Sequence, residues 1–414
     1  MTEKLNATSS DPTALQWMVG SPPPADKLIQ FADGSAFTFP RTRWTYSNVR
    51  RLLPTSVVPR TPTGAAALPT ARRSDLDAVT FRPSGQSDLM TWEQSLAANF
   101  TDGIIVLHRG QVIYERYFGV LDACTQHLAF SVTKSFVATI AGILAAEGTL
   151  DDRAPVETYL PELKHTGFAD ATVQQLLDMT TGLKHTEDYV DDKAGIWEFS
   201  RAGNFRPRPA DYQGPESFYE FLLTVEKAYG HGEKFAYKTV NTDVLAWVLR
   251  RVTGKTTSAL MFEYLWAKLG VEHDAYFTID TTGIEFAGAG LNLTLRDLAR
   301  FGEMMRLDGH YNGQQIVPAA VVANIRAGGD REQFARAGYT QLPGWSYRRM
   351  WWVSHNGHGA FAARGIHGQA VYVDPAAEMV VARFASHPQG ANAHLDPTSL
   401  PAYHALAKHL RLEP

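Results

Sequence analysis

Apolar positions change their spacing along the chain, and each spacing predicts a different element. Gly103-Ile104-Ile105-Val106-Leu107 and Gln111-Val112-Ile113-Tyr114-Glu115-Arg116-Tyr117 are β-rich runs, and His108-Arg109-Gly110 between them reads as the tight turn of a hairpin. An apolar stretch follows through Phe136, Val137, Ile140, Ile143 and Leu144, with Thr139, Ala141, Gly142, Ala145 and Ala146 filling the gaps. It predicts a buried helix that starts near Ser131 and stops at Glu147-Gly148. Helical spacing recurs over residues 92–100, 156–159, 172–179, 217–225, 240–253, 260–269 and 294–307. From Trp345 the texture returns to β in Met350-Trp351-Trp352-Val353, Gln369-Ala370-Val371-Tyr372-Val373 and Met379-Val380-Val381-Ala382-Arg383-Phe384, and a helix over 401–410 closes the chain.

Two stretches lack either period. Residues 1–75 are broken by Ser21-Pro22-Pro23-Pro24 and Pro59-Arg60-Thr61-Pro62, and predict an extension, mostly without regular structure, that wraps the body through Trp44, Tyr46 and Val49. Residues 184 to about 215 mix aromatics with Gly, Pro, Arg and Asp and read as a long irregular insertion. Strands at both ends around a helical middle predict an α/β (α+β) fold. Its sheet domain comes from residues 76–130 and 330–414, and a mainly helical domain, residues 131–329, is inserted between them.

Composition narrows the function classes. The 414 residues are 44% hydrophobic and 20% charged with a net charge of −4, which argues against nucleic acid or an anionic membrane as the main partner. Cys124 is the only cysteine, so no intramolecular disulfide can form and no thiolate metal knuckle exists. The polar opening Met1-Thr2-Glu3-Lys4-Leu5-Asn6 has no apolar signal region and no run approaches membrane-helix length, so a cytoplasmic location is expected.

Candidate chemistry begins at Ser131. Lys134 stands three residues on, one helical turn away, and is the only charge between Asp122 and Glu147. No other serine in the chain has a lysine at that spacing. A serine hydroxyl needs a neighbouring base to become a nucleophile, and a desolvated lysine can be that base because burial disfavours its ammonium. The plainer alternative is a helix-capping serine beside a surface lysine. A proton carrier for the leaving group is offered by Tyr237, in Phe235-Ala236-Tyr237-Lys238-Thr239-Val240-Asn241, at the start of a predicted helix. Gly365-Ile366-His367-Gly368-Gln369 heads a strand, where glycines let a substrate approach backbone N–H groups that could hold an oxyanion.

In this order the three boxes resemble the serine β-lactamase and penicillin-binding protein superfamily, closest to its class C and esterase branch. Ser131-x-x-Lys134 matches the first signature and Tyr237 the tyrosine of the Tyr-x-Asn box. Glu187-Asp188-Tyr189-Val190-Asp191, Asn241-Thr242-Asp243-Val244-Leu245-Ala246-Trp247, Tyr264-Leu265-Trp266-Ala267-Lys268-Leu269 and the third box are similar to the 6-aminohexanoate-dimer hydrolases, the nylon-oligomer amidases, over roughly residues 90–414. The resemblance implies an antiparallel sheet flanked by helices, Tyr189 helping to bind the amide, Trp352 lining the pocket, and no metal or cofactor. It is also marked by departures. Thr239 replaces the asparagine of the second box, Ile366-His367-Gly368 replaces Lys-Thr-Gly, and Ser200 and Gly288 align with an acidic and a polar residue tied to amide turnover. These argue against a β-lactam as the main substrate.

The expected activity is acyl transfer to water. Ser131 attacks, Lys134 with Tyr237 takes its proton, and the Ser131 N–H with an N–H from Ile366, His367, Gly368 or Gln369 holds the oxyanion. The expected ligand is a small amide or ester, and a homodimer is compatible with the chain. A carboxylesterase, D-aminopeptidase or β-lactamase of the same fold, or a catalytically inactive binding protein, are the alternatives. Other enzyme classes lack their marks, with no Gly-x-Ser-x-Gly elbow and no upstream glycine before Gly254-Lys255-Thr256.

Overall fold

The computed structural model describes residues 5–62 and 64–411; residues 1–4 and Thr63 of the expected extension, and residues 412–414 of the expected sheet domain, lie outside the described residues. The organising layer is a seven-stranded, wholly antiparallel sheet. Its order is Ser346–Arg348, Trp351–Val353, Phe361–Gly365, Gln369–Asp374, Met379–Ala385, Thr101–His108 and Gln111–Tyr117. The expected hairpin turns at Arg109 and Gly110, which take φ of 51° and 77° as a two-residue turn matched to strand twist requires.

Both faces of this sheet are covered. Ile105 and Leu107 point into the main core beneath the Leu295–Arg306 and Val132–Ala146 helices, and Ile104 and Val106 into a second core under the Trp92–Ala98 and Asp396–Arg411 helices. That is why the strand reads as a continuous apolar run with no polar alternation. The Val132–Ala146 helix is buried from Val132 through Leu144, and its Phe136 ring stacks on Phe301 at 3.7 Å between centroids.

A smaller four-stranded sheet joins Thr55–Val58, Ala275–Thr278, Leu291–Leu293 and His127–Leu128, so the N-terminal extension supplies one edge strand. Trp44, Tyr46 and Val49 of that extension are buried. The Arg43 guanidinium pairs with Asp102 at 3.1 Å, and both side chains are almost fully buried.

Several elements differ from the reading of the sequence. The closing helix begins at Asp396, so Pro401 lies inside it and is not its start. Residues 260–269 are helical as expected, but the helix begins earlier, at Thr257, and widens over Phe262–Trp266 before Ala267–Leu269. The 184–215 insertion is not irregular throughout, because Gly195–Ala202 is a helix that buries Ile196, Phe199, Ser200 and Ala202. Strands at Ala275–Thr278, Leu291–Leu293, Ser346–Arg348 and Phe361–Gly365 are not marked by alternation, because the first and last are buried on both faces and the other two are only three residues long.

The fit of helix to sheet can be tested at Gly302. A Cβ there would come within 2.6 Å of Val380 Cγ1 and 2.7 Å of Val371 Cγ1. Overpacking a core costs roughly 1–3 kcal/mol, whereas alanine's better helix propensity returns at most about 1 kcal/mol. Gly302→Ala is therefore expected to lower the urea midpoint of unfolding, with a net loss of roughly 1–2 kcal/mol. A variant as stable as the wild type would mean that helix and sheet are not seated this closely.

Candidate active site

Ser131 is delivered by a short, heavily anchored stretch. Leu128 N–H donates to Tyr46 O at 2.8 Å and Ala129 N–H to Leu291 O at 2.9 Å, which fixes the strand before it. His127 stacks on Phe384 at 4.6 Å and lies 3.3 Å from Asp102, the partner of Arg43. Phe130 then turns through φ 45°, a left-handed conformation that costs a bulky residue about 1–3 kcal/mol. Its carbonyl holds the turn by accepting the Thr133 hydroxyl at 2.6 Å and the Thr133 N–H at 2.9 Å.

Ser131 stands at the head of the Val132–Ala146 helix but its side chain makes no capping bond. The capping-serine alternative therefore fails, and so does the surface lysine: Lys134 is 1% exposed. Lys134 Nζ donates to Ser131 Oγ at 3.0 Å, Thr239 Oγ1 at 3.0 Å and Gly288 O at 2.7 Å. Burial pushes this ammonium down to about 8, with the Glu187 and Asp243 carboxylates pulling the other way.

Behind Thr239 lies Glu187. The Thr239 hydroxyl donates to Glu187 Oε1 at 2.6 Å, and the Thr239 N–H and the Tyr189 hydroxyl donate to the same carboxylate. The departure from the Tyr-x-Asn pattern thus has a structural sense. A threonine both accepts from the lysine and donates to a carboxylate, a link that Thr239 builds with its one hydroxyl. Asn241 faces elsewhere, accepting from the Thr181 hydroxyl at 2.8 Å. Asp243 is buried beside Gly288, whose N–H reaches Asp243 Oδ1 at 3.3 Å, and burial raises its carboxyl to about 8. In the sequence Glu187 and Asp243 stand inside segments that resemble the family. Neither residue type nor spacing marked them as neighbours of Lys134.

Tyr237 begins the second wall. Its ring stacks on Trp352 at 5.7 Å and 27°, and Lys134 Nζ lies 5.0 Å from its centroid. Burial, then Glu187, push the phenol pKa well above its ordinary value, while the neighbouring Ser131 side chain pulls it down. Trp352 is held in turn by Tyr347 and Tyr339 at 5.1 Å and 5.3 Å.

The third box is a turn. Ile366–Gly368 forms one 3-10 turn, with His367 at φ 62°, and the strand starts at Gln369. Gly365 passes so close to the Ser131 backbone that a Cβ on it would meet Ala129 O at 2.7 Å and Ser131 N at 3.1 Å. Ile366 follows at the mouth of the site. The Gln369 side chain donates to Ile366 O at 3.0 Å and Ala385 O at 2.7 Å, so it braces the turn. Gly368 packs toward Leu395. Of the four expected residues, Ile366 and His367 line space shared with Ser131; Gly368 and Gln369 do not.

Two chambers meet at Ser131, Tyr189 and Ile366. One, of about 550 Å³, is lined by Glu187, Tyr237, Tyr339, Trp352 and Arg364. The other, of about 220 Å³, is lined by Tyr46, Trp197, Ser200, Arg206, Phe286 and His367. Among the described residues no group of three or more His, Cys, Asp or Glu side chains is placed to hold a metal, and no helix is long and apolar enough to cross a membrane.

Known proteins resemble this chain in sequence and in fold. The Beta-lactamase family model matches residues 94–403. The 6-aminohexanoate-dimer hydrolase of Paenarthrobacter ureafaciens is 38% identical over 356 residues, 86% of this chain and 88% of its own. A Bacillus anthracis structure assigned as a 6-aminohexanoate-dimer hydrolase superposes with a TM-score of 0.86 at 32% identity, covering 95% of this chain and all of its own. A family VIII carboxylesterase shares the fold alone, with a TM-score of 0.54 at 18% identity over 76% of this chain and 96% of its own.

His367 supplies a test of the site's dryness. Burial pushes the His367 and His185 imidazoles down to about 4, so the folded state holds them neutral where the unfolded chain, near 6.5, binds protons. Stability must then fall as pH drops from about 6.5 toward about 4. His367→Asn, which tolerates the left-handed φ, should flatten the pH slope of the unfolding free energy in that window by up to about 1.4 kcal/mol per pH unit. An unchanged slope would show that His367 titrates as in water.

Proposed function

The chain belongs to the Beta-lactamase family, and from that premise we propose that it is a serine hydrolase opening linear amide or ester bonds through an acyl-enzyme on Ser131. One observation carries the reading: the Lys134 amine lies 3.0 Å from Ser131 Oγ where burial brings its pKa to about 8. About a tenth of such lysines are neutral at pH 7, enough for a general base poised near the working pH.

The hydrogen bonds aim that base. Gly288 O can only accept, and Thr239 Oγ1 already donates its own proton to Glu187. Both therefore take an N–H from Lys134. A neutral amine has just two, so its lone pair is left facing the Ser131 hydroxyl. A Tyr237 phenolate is the weaker candidate for base, because burial and Glu187 hold the phenol protonated. That suits Tyr237, whose hydroxyl meets the Ser131 side chain, to hand a proton to the departing alcohol or amine, with the proton that Lys134 took from Ser131 restoring the phenol. The Ser131 N–H, at a helix start, and the Ile366 N–H, beside Gly365, are the donors for the oxyanion. Water then repeats the sequence on the acyl-enzyme.

A fluorophosphonate should add once to the intact protein, and Ser131→Ala should abolish the adduct by mass spectrometry. An adduct that persists in the variant would remove Ser131 from the mechanism.

Ester cleavage should outpace amide cleavage. An alkoxide leaves readily, whereas an amine must be protonated as it departs and leans harder on placed donors. Tyr189 lines both chambers, and because its hydroxyl gives its one proton to Glu187, its oxygen is left as an acceptor that can orient an amide N–H, a group an ester lacks. Tyr189→Phe is expected to reduce kcat/KM for 6-aminohexanoate dimer about tenfold more than for a short 4-nitrophenyl ester. Equal losses on both substrates would confine Tyr189 to a packing role.

A further inference from the structure

The two chambers at Ser131 differ in charge. In the larger, the Arg364 guanidinium is paired with Asp396, both buried. In the smaller, the Arg206 guanidinium lies 3.7 Å over the Trp197 ring and 5.9 Å from Phe37, and it makes no hydrogen bond or ion pair among the described residues. Stacking uses the face of a guanidinium and leaves the N–H groups on its rim for a planar anion.

Nothing on the inner wall neutralises it. Ser200 turns its hydroxyl back onto Ile196 O at 2.8 Å. His367 gives its Nδ1 to His387 O at 2.7 Å, and burial holds it uncharged. Asp192, exposed at the rim of the chamber, acts on Arg206 through space and favours its charge, but makes no ion pair with it among the described residues. Phe205 and Phe286 close the remainder with apolar surface. A dry cavity opening on the nucleophile, with one unmatched cation against its wall, selects a ligand with an apolar stem and an anionic end.

We infer that the smaller chamber receives a carboxylate-terminated arm of the substrate, bound by Arg206, so that the preferred substrates are anionic amides or esters. The inference rests on the hydrolase reading above. The carboxylate could sit on the acyl arm, as in a half-ester of a short dicarboxylic acid, or on the leaving group, as in an acylated amino- or hydroxy-acid.

Two matched pairs separate these sources: mono-4-nitrophenyl glutarate against 4-nitrophenyl butyrate, and 4-acetoxybenzoate against phenyl acetate, each kcat/KM divided by the uncatalysed rate. The wild type should favour the anionic member of one pair about tenfold or more, the scale of one charge-assisted hydrogen bond. Arg206→Met should bring that ratio toward unity, Arg206→Lys should keep part of it, and Asp192→Asn should raise it by removing a like charge. The Ser131→Ala protein, titrated with glutarate by calorimetry, should bind it only while Arg206 is present. The proposal is overturned if neither anionic ester is preferred, if the preference survives Arg206→Met, or if Asp192→Asn lowers it. Should Ser131→Ala keep its activity, the hydrolase reading falls, and the glutarate titration still decides Arg206.

Discussion

One buried cation organises this molecule. Lys134 carries a charge that water would solvate far better, and the structure replaces that water with three fixed oxygens from three separate elements. Ser131 comes from the same helix, Thr239 from the start of the Val240–Thr253 helix, and Gly288 from the segment before Leu291–Leu293. Moving any of these elements would leave an amine without partners in a dry interior, a loss of several kcal/mol. The seating of helix on helix and helix on sheet is therefore also the alignment of the site.

The same low dielectric that depresses the amine raises its neighbours. Tyr237, Tyr189 and Asp243 are all pushed toward their protonated forms by burial, and Glu187 accepts from both Thr239, which itself accepts from Lys134, and Tyr189. The aromatic layer of Trp352, Tyr347 and Tyr339 keeps water away and holds the Tyr237 ring flat against Trp352. Excluding water and tuning protons are thus achieved by the same side chains.

The N-terminal extension belongs to this construction. Tyr46 accepts the Leu128 N–H and packs edge-on against Phe130 at 4.9 Å, and Phe37 and Tyr46 both wall the smaller chamber. The left-handed turn at Phe130 is kept in place by contacts from residues more than eighty positions away in sequence.

Local signals carried the elements and the pairing of Ser131 with Lys134. The hairpin around Arg109-Gly110, the apolar helix from Val132, the Val240–Thr253 helix and the Ser131–Lys134 spacing follow from periodicity, turn chemistry and one-turn geometry, which need no knowledge of distant chain. The order of three boxes was enough to indicate the family. Legibility ended where function depends on side chains brought from afar. Glu187 and Thr239 are 52 residues apart, and Lys134 and Gly288 are 154 apart, so no spacing rule could pair them. Gly368 and Gln369 share a box with Ile366, yet a single 3-10 turn sends them out of the cleft. Sequence alone determined which groups could react; the depth at which the fold buries them, and the partners it sets around them, decided which protonation states those groups hold, because desolvation is a property of the packed interior and not of any one segment.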